Sequence, residues 1–394
     1  MTASAVALAG CSSSKKKSSG GLGGGSTTSG SSSNQTYTIG FIGALSGGSA
    51  QLGINEKQGA TLAISQWNAA NKGFQAKLDA QDSEGAAATA PAAATALTTN
   101  SSVIATIGPA FSGESKAVDP TFCAAGMPIV TASASNATLQ DQGYNCWHRI
   151  IPNDNVEGSQ GADWLARTGS KKVFVLDDGS PYGEGVATTV ATELKAKNVS
   201  VVTGRVPYVT GSTTSPNYNP IANTIVNDGV DALFYGGYDS QTALLAKALV
   251  GAGFKGREVS GNGSKDSTFT TQGGSAAEKW YLTCGCQDPT KAPAAASFVT
   301  AYTAMFHQAP STYSAEAFDA ANVLLDSIKN AAAKGTVTRA SVLTALNAEN
   351  FPGITTTIKF QSNGEVIPSN LIVNLFQVKG GQIVGLGDIT KINS

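Results

Sequence analysis

The sequence has few charged residues, few histidines and no long apolar run. Charged residues make up 13% of its 394 residues, about half the usual share of roughly 25%, and the formal net charge is -1. Because the folded part has no basic clusters, this composition excludes a nucleic-acid-binding surface. No stretch of about 18 apolar residues occurs, so no membrane-spanning helix is predicted. The length instead predicts two domains with ample core.

The motifs of several enzyme classes are also missing. The 2 histidines are His148, beside Trp147, and His307, and neither accompanies a GxSxG elbow. The Gly-rich pieces GLGGG, GGSA and GGSAAE lack both the P-loop lysine and the strand-GxGxxG-helix order of dinucleotide sites. We therefore expect a binding protein that is not an enzyme and needs no cofactor.

Cysteine is scarce, and its arrangement favours disulfides over a metal site. Apart from Cys11, the sequence has Cys123, Cys146, Cys284 and Cys286. This even number is compatible with two disulfides outside the cytoplasm, and three pairings are possible. We favour Cys123–Cys146 with Cys284–Cys286, because neighbours two apart on a strand share a face. The spacings do not fit zinc knuckles, so no metal is expected.

The first eleven residues differ from the rest of the chain. Residues 1–10 (MTASAVALAG) are small and apolar, and they run into Leu-Ala-Gly-Cys11. This stretch resembles a bacterial lipobox, in which the signal peptide is cleaved before the cysteine and the thiol carries a diacylglycerol group. The resemblance predicts that residues 1–11 are a signal-peptide remnant and that Cys11 is lipidated. The alternative is a chance LAGC in an Ala-rich leader.

Residues 12–36 contain almost nothing able to form a core. They are mostly Ser, Gly and Lys, which predicts a disordered tether. Lys15, Lys16 and Lys17 stand beside the proposed lipid, where each would add about 1 kcal/mol of attraction to anionic headgroups. A merely solvated charge run is the alternative. We expect the protein to be extracytoplasmic and anchored to the outer face of the cell membrane.

From Tyr37 onward, short β-branched runs alternate with longer Ala-rich amphipathic segments. Strands are predicted at 37–43, 76–82, 103–108, 128–132, 172–178, 199–204 and 231–237. Helices are predicted at 54–70, 86–99, 113–125, 156–168, 183–197, 218–228, 240–252, 293–306, 314–333 and 338–348, before a strand-rich tail. This alternation predicts an α/β fold of parallel sheets covered by helices. The break at WHRIIPNDN (147–155) indicates a crossover between two such sheets.

In open parallel sheets, ligands bind beyond the carboxyl ends of the strands. The loops there are 45–51, 109–113, 131–136, 178–182 and 236–239, which are rich in Ser, Gly and Tyr and poor in charge. Ser112 and Ser240 are each predicted to stand where a helix begins, offering a hydroxyl and free backbone N–H groups to an anion. A plain N-cap serine is the alternative at each position.

Several stretches carry a resemblance to a known family. They are IGFIGALSGGSAQLG (39–53), GATLAISQWNAANKG (59–73), IGPAFSGESKAVDP (107–120), MPIVTASASNATL (127–139), DDGSPYGEGVA (177–187) and ALFYGGYDSQTALLAKALVGAGF (232–254). The chain resembles the type I periplasmic binding proteins of ABC transporters, most of all their branched-chain amino-acid binding branch, over residues 37–394. The resemblance implies two doubly wound lobes joined by three crossovers, with a ligand cleft that closes as a hinge.

The resemblance also implies which residues contact the ligand. Ser112, preceded by Phe111, would hold a carboxylate. Ser133 and Ser135 would meet the carboxylate and the ammonium group of the ligand. The rings of Tyr182 and Tyr238 would close over the ligand from the C-terminal lobe.

Two positions depart from the family pattern. Gln51 is counted with the site, but Leu52 follows it where the family has an aromatic residue. Gly263, within SGNGSKD, stands where the family has the acid that holds the α-ammonium group. A buried ammonium group without an anionic partner costs several kcal/mol, so an amino-acid ligand would need another carboxylate.

Asp266 is the predicted substitute, because it lies three residues beyond Gly263. Asp239 and Asp154 are further candidates. An exposed N-cap for the segment STFTTQ is the alternative role for Asp266. If no acid points inward, the ligand is expected to be a carboxylate or another polar solute without an amine.

The resulting prediction is a lipid-anchored solute-binding protein that delivers a small polar ligand, foremost a branched-chain or other aliphatic amino acid, to an ABC transporter permease. The N-terminal lobe is predicted at 37–153 plus 286–365 and the C-terminal lobe at 154–285 plus 366–394. A monomer is expected by resemblance. The alternatives are import of an amine-free carboxylate, amide or aromatic acid, and a role as an extracellular sensor for a signalling partner.

Overall fold

The computed structural model describes residues 35–207 and 216–393, so the predicted lipobox at Cys11 and most of the 12–36 segment lie outside it. The first sheet has five parallel strands in the order β2-β1-β3-β4-β5. Its elements are β1 (Thr36–Gly43), α1 (Ala50–Ala69), β2 (Gln75–Asp82), α2 (Ala90–Thr99), β3 (Val103–Ile107), α3 (Ser112–Ala124), β4 (Ile129–Thr131) and β5 (Trp147–Arg149).

The second sheet has seven strands, in the order β14-β13-β10-β9-β8-β6-β7. Its first part consists of α4 (Asp154–Arg167), β6 (Lys172–Asp177), α5 (Pro181–Ala196), β7 (Ser200–Arg205), α6 (Asn219–Asn227), β8 (Ala232–Gly236), α7 (Asp239–Ala252), β9 (Arg257–Ser260), α8 (Ser267–Gly273) and β10 (Tyr281–Cys284). The last part of the chain forms α9 (Ala296–Phe306), α10 (Ser314–Ala332), α11 (Arg339–Asn347), β11 (Phe351–Pro352), β12 (Thr357–Ile358), β13 (Asn374–Lys379) and β14 (Gln382–Asp388).

The chain passes between the two sheets three times. It leaves the first sheet after β5 and enters α4, which Asn153 caps by accepting bonds from two backbone N–H groups. After β10 it returns to α10, which packs along α1, and it then rejoins the second sheet through β13. The predicted α/β class with two lobes is confirmed. The residue bounds predicted for the lobes remain a prediction.

The second sheet is mixed, whereas the sequence predicts parallel sheets. β13 pairs antiparallel with both β10 and β14. The Gly380–Gly381 turn, in which both residues have positive φ, 60° and 75°, explains the pairing of β13 with β14. A two-residue turn with this backbone twist joins antiparallel neighbours, so the two last strands form a hairpin on the edge of the parallel sheet.

Some local predictions are wrong at the level of single elements. β9 and β10 are absent from the predicted strands, and both are four-residue strands without clear alternation. The helix predicted to begin at Ser240 begins at Asp239, with Tyr238 in the N-cap position. In the described residues, no helix combines the length and the apolarity needed to cross a bilayer.

Close packing of α1 on α10 brings two parts of the chain that are distant in sequence to the same wall. A Cβ atom at Gly59 would lie 2.0 Å from the carbonyl oxygen of Ser314, so only glycine allows the helices to approach this closely. The two helices carry Glu56 and, just before the start of α10, Tyr313.

Two disulfides are present. Cys123 is bonded to Cys146 with a Cα–Cα distance of 5.4 Å, which ties the end of α3 to the residue before β5. Cys284 is bonded to Cys286 at 5.0 Å, next to the point where the chain leaves the second sheet. This is the pairing that the sequence favours.

Candidate ligand-binding site

A small cavity of about 20 Å³ lies between the two sheets, which is room for about one water molecule. It is built by segments that follow β1, β3, β4, β8 and β9, together with the starts of α5 and α10. The lining residues are Leu52, Glu56, Ala110, Phe111, Ser112, Ser133, Ser135, Tyr182, Tyr238, Asn262, Gly263 and Tyr313. Its position at the carboxyl ends of parallel strands is where α/β sheets bind ligands.

Six of the eight ligand-binding residues predicted from the sequence line this cavity. They are Phe111, Ser112, Ser133, Ser135, Tyr182 and Tyr238. Gln51 does not: its amide Nε2 donates to Oδ1 of Asn55 at 2.9 Å, and it borders a separate groove. Gln51 directly precedes Leu52, which does line the cavity, so the predicted position is wrong by one residue along α1.

Asp266 is not among the residues that line the cavity either. Its Oδ1 accepts the backbone N–H of Thr268 at 3.0 Å and caps α8, and its Oδ2 accepts from Nδ2 of Asn55 at 2.9 Å. The carboxylate is therefore occupied by protein donors. The alternative from the sequence, an N-cap for this segment, is the role that Asp266 has, although the residue is buried and not exposed as that alternative expects.

The other two candidate acids are not lining residues either. Asp239 accepts the hydroxyl of Ser49 at 2.8 Å and the backbone N–H of Ser240 at 2.8 Å. Asp154 begins α4 and is fully buried, and burial raises the pKa of its carboxyl to about 8.

Aromatic rings form one side of the cavity. The ring centroids of Tyr182 and Tyr238 are 5.2 Å apart, and those of Phe111 and Tyr238 are 5.3 Å apart. The Tyr182 hydroxyl accepts the backbone N–H of Gly263 at 3.1 Å, and burial raises the pKa of Tyr182 well above its usual value. These rings present neutral, largely apolar surface to a ligand.

Three serines and the start of α3 supply the polar side. Ser112 is the first residue of α3, not its N-cap, which is Phe111. Its hydroxyl accepts the backbone N–H of Asn136 at 3.1 Å, while the Ser133 hydroxyl donates to the Ala110 carbonyl at 2.6 Å. The first N–H groups of a helix have no partner within it, so this end of α3 favours an anion.

Asn262 connects the two lobes beside the cavity. Its Nδ2 donates to the Ser135 hydroxyl at 3.4 Å and to Oε2 of Glu157 at 2.6 Å. Glu157 also accepts from the Thr283 hydroxyl at 2.8 Å. Burial is the main cause that raises the pKa of Glu157, and these donors oppose it.

Glu56, Tyr313 and Asn262 are lining residues that the sequence prediction omits. Glu56 is 1% exposed, and burial raises the pKa of its carboxyl to about 8. The sequence contains a signal that could have identified Glu56. It stands four residues from both Leu52 and Ala60, and this spacing puts an acid on the buried face of a helix. No comparable signal in the sequence identifies Tyr313.

The lobes contact each other around the cavity. The Ser49 hydroxyl donates to Asp239, and the Ser240 hydroxyl donates to the Gly48 carbonyl at 2.6 Å. The amide of Asn136 donates to the Pro181 carbonyl across the same cleft. The structure therefore has a closed cleft.

The histidines do not contribute to this site. His148 is buried, with Nε2 2.7 Å from Oδ1 of Asn347 and Nδ1 3.3 Å from the Ile129 carbonyl. An enclosed, partly apolar cavity between two α/β lobes, with hydroxyls and a helix N-terminus converging on it, defines a two-lobe protein that binds a small molecule.

The model of the Periplasmic binding protein family matches residues 36–382. The chain belongs to this family, as a type I member related to Leu/Ile/Val-binding proteins, and the family consists of ligand-binding proteins, not enzymes.

Two relatives illustrate the similarity. The leucine-, isoleucine-, valine-, threonine- and alanine-binding protein of Pseudomonas aeruginosa is 26% identical over 336 residues, covering 84% of this chain and 87% of that protein. Leu/Ile/Val-binding protein homolog 3 of Brucella melitensis is 25% identical over 353 residues, covering 89% and 93%.

Solved structures of other binding proteins have a similar fold. A leucine-binding protein from Thermotoga maritima has a TM-score of 0.79 at 25% identity, covering 89% of this chain and 97% of that chain. A branched-chain amino-acid transporter substrate-binding protein from Streptococcus pneumoniae, in complex with isoleucine, has a TM-score of 0.79 at 24% identity, covering 90% and 100%. The second likeness bears on the fold alone.

Proposed function

We propose that this protein captures an aliphatic α-amino acid between its lobes and delivers it to the permease of an ABC transporter. The carrying observation is the composition of the cavity wall, which combines three serine hydroxyls and the start of α3 with the apolar side chains of Leu52, Phe111 and Ala110. This combination suits a ligand that has both a charged group and an apolar side chain.

The carboxylate of the ligand is assigned to Ser112 and the start of α3. Hydrogen bonds from a hydroxyl and from backbone N–H groups to an anion are stronger than bonds between neutral groups. The helix dipole adds to this preference. The Pseudomonas aeruginosa relative is named for binding leucine, isoleucine, valine, threonine and alanine, which supports the same ligand class here.

The same proposal places the protein outside the cytoplasm, held by lipid on Cys11 and acting as a monomer. The disulfides Cys123–Cys146 and Cys284–Cys286 support an oxidising compartment. The Ser/Gly/Lys segment would give the lobes freedom to reach a permease while the lipid stays in the membrane.

A thermal-shift screen tests the ligand class. The protein would be unfolded and refolded to remove carried-over ligand, then heated with each amino acid and with its amine-free carboxylate. At about 100 times Kd, a ligand adds roughly 2.7 kcal/mol of stability, which is readily seen in the melting temperature. Stabilisation by aliphatic amino acids is expected, and the absence of any such effect would sink the proposal.

The second candidate is an amine-free carboxylate, favoured by Gly263 in place of the acid that the resemblance assigns to the ammonium group. In the screen, this ligand class would stabilise the protein while the matching amino acids would not. The fold and the carboxylate site at Ser112 would be the same in both cases.

Replacing Ser112 with alanine should weaken binding by about 1.5–3 kcal/mol, because a hydrogen bond to a charged group is lost. Isothermal titration calorimetry measures the change. The matched control is Ser115→Ala. Ser115 is buried in the same helix and does not line the cavity, and its hydroxyl has no hydrogen-bond partner within residues 35–207 and 216–393. Equal affinity of Ser112→Ala and wild type for every carboxylate would remove the anion role.

A further inference from the structure

Glu56 is the one acid among the described residues that line the cavity. It is 1% exposed, and neither of its carboxylate oxygens has a hydrogen-bond partner among the described residues. An ionised carboxylate left in this state costs several kcal/mol. The buried acids Glu114 and Glu157 differ from it, because both accept bonds from protein donors.

A second polar group without a partner comes from the neighbouring helix. The Tyr313 hydroxyl is buried, lines the cavity and has no hydrogen-bond partner in the described part of the chain. Tyr313 has a φ of 66°, a backbone conformation that is rare and strained for a bulky side chain. Such a backbone at a cavity wall indicates that the placement of the ring matters for the site.

The position where the resemblance expects an acid has no room for one. A Cβ atom at Gly263 would lie 2.6 Å from Cε1 of Tyr182 and 2.8 Å from the Gly237 carbonyl oxygen. Asp266, three residues on, is engaged as a helix cap and with Asn55. Any carboxylate that meets the ligand must therefore come from another element.

We infer that Glu56, together with the Tyr313 hydroxyl, binds the ammonium group of the amino-acid ligand and takes over the role of the acid missing at Gly263. This inference rests on the proposed function and names the residues that select an amine. The ammonium group has three donors, enough to satisfy Glu56 oxygens and the Tyr313 hydroxyl together.

The electrostatic setting of Glu56 fits a group that ionises only against a cation. Burial raises its pKa, and the acids Glu114 on α3 and Glu316 on α10 add to this rise. At neutral pH the carboxyl is therefore mostly protonated without ligand. When an ammonium group binds, its positive charge lowers this pKa and the carboxyl releases its proton to solvent.

The test compares wild type with Glu56→Gln, a change that removes the charge and keeps the size. Calorimetric titrations would use leucine and alanine, each paired with its amine-free analogue, 4-methylpentanoate and propanoate. Glu56→Gln should lower the affinity for the amino acids roughly 100-fold or more, since it removes one partner of a buried ion pair. Its affinity for the amine-free acids should change less than about threefold.

Two further variants sharpen the comparison. Glu258→Gln is the matched control, because burial also raises the pKa of Glu258 to about 8 but its side chain does not line the cavity. It should bind all four compounds as wild type does. Asp266→Asn tests the rival acid, and loss of amino-acid binding in this variant but not in Glu56→Gln would overturn the inference.

The remaining outcomes separate this inference from the proposed function. If wild type binds leucine or alanine and Glu56→Gln binds them equally well, the inference is wrong and the proposed function stands. If wild type binds only the amine-free acids, both fail. If Glu56→Gln does not fold, the number of protons that wild type releases on binding tests the inference. Calorimetric titrations at pH 7 in two buffers of different ionisation enthalpy measure this number. Proton release with leucine but not with 4-methylpentanoate supports the role of Glu56, and equal release overturns it.

Discussion

Replacing Arg149 with methionine should lower the free energy of unfolding by about 3–5 kcal/mol, because it leaves a buried charge without its partner. The Arg149 side chain is fully buried, and its guanidinium pairs with Glu365 through Nε at 3.1 Å and through Nη2. Its Nη1 also donates to the carbonyls of Ala134 at 3.1 Å and Asn136 at 2.9 Å. Urea denaturation followed by circular dichroism measures the loss.

Ligand affinity should fall in the same variant, because Ala134 and Asn136 flank Ser135 in the loop that lines the cavity. The control is Lys329→Met, which breaks the exposed pair with Asp326 and should change stability by less than about 1 kcal/mol. Adding Glu365→Gln to Arg149→Met should restore part of the stability, since no unpaired charge then remains. If Arg149→Met and wild type unfold at the same urea concentration, the Arg149–Glu365 pair does not contribute to stability as expected.

Replacing Gly59 with alanine should cost about 3 kcal/mol, the upper part of the usual range for overpacking a core. The new methyl group would lie 2.0 Å from the Ser314 carbonyl oxygen and 3.1 Å from the Phe318 backbone nitrogen. Both are backbone atoms, so the overlap can be relieved only by moving α1 away from α10. Thermal and urea denaturation measure the effect.

Gly251→Ala is the matched control for this change. Gly251 lies in α7, is exposed, and has no atom within 4 Å of the position of a Cβ. Alanine there should stabilise the protein by up to about 1 kcal/mol, because it is the better helix former. A Gly59→Ala variant as stable as Gly251→Ala would contradict the packing of α1 on α10. Because these helices carry Glu56 and Tyr313, Gly59→Ala should also weaken amino-acid binding.

Local regularities in the sequence predicted most of the fold. The β-branched runs that predict strands at 37–43 and 172–178 correspond to β1 and β6 within one residue at each end. The Ala-rich segment at 314–333 corresponds to α10, also within one residue. Such elements are long or strongly patterned, so their own residues determine their type.

The hairpin of β13 and β14 carried a signal that the sequence prediction did not use. Adjacent glycines at 380 and 381 between two β-branched runs indicate a two-residue turn, and hence antiparallel strands. β9 and β10 lack any such mark. Their four residues become strands because neighbouring strands offer free edges, which is a tertiary effect.

The site was predictable where residues follow strands and was missed where helices supply them. Ser112, Ser133 and Ser135 come directly after β3 and β4, and the topology of parallel sheets places such loops together. Glu56 and Tyr313 reach the cavity only because α1 and α10, about 250 residues apart in sequence, pack at Gly59. Contacts of this kind depend on the docking of helices, which periodicity does not reveal.

The inter-lobe hydrogen bonds also bear on how long a bound molecule stays. All the lining residues are buried, so a ligand can enter or leave only when the lobes part. Parting breaks the bonds of Ser49 with Asp239, Ser240 with Gly48, and Asn136 with Pro181. The residence time of a bound molecule is therefore set by the frequency of opening, and under the proposed function a permease that separates the lobes would empty the site without competing for the ligand itself.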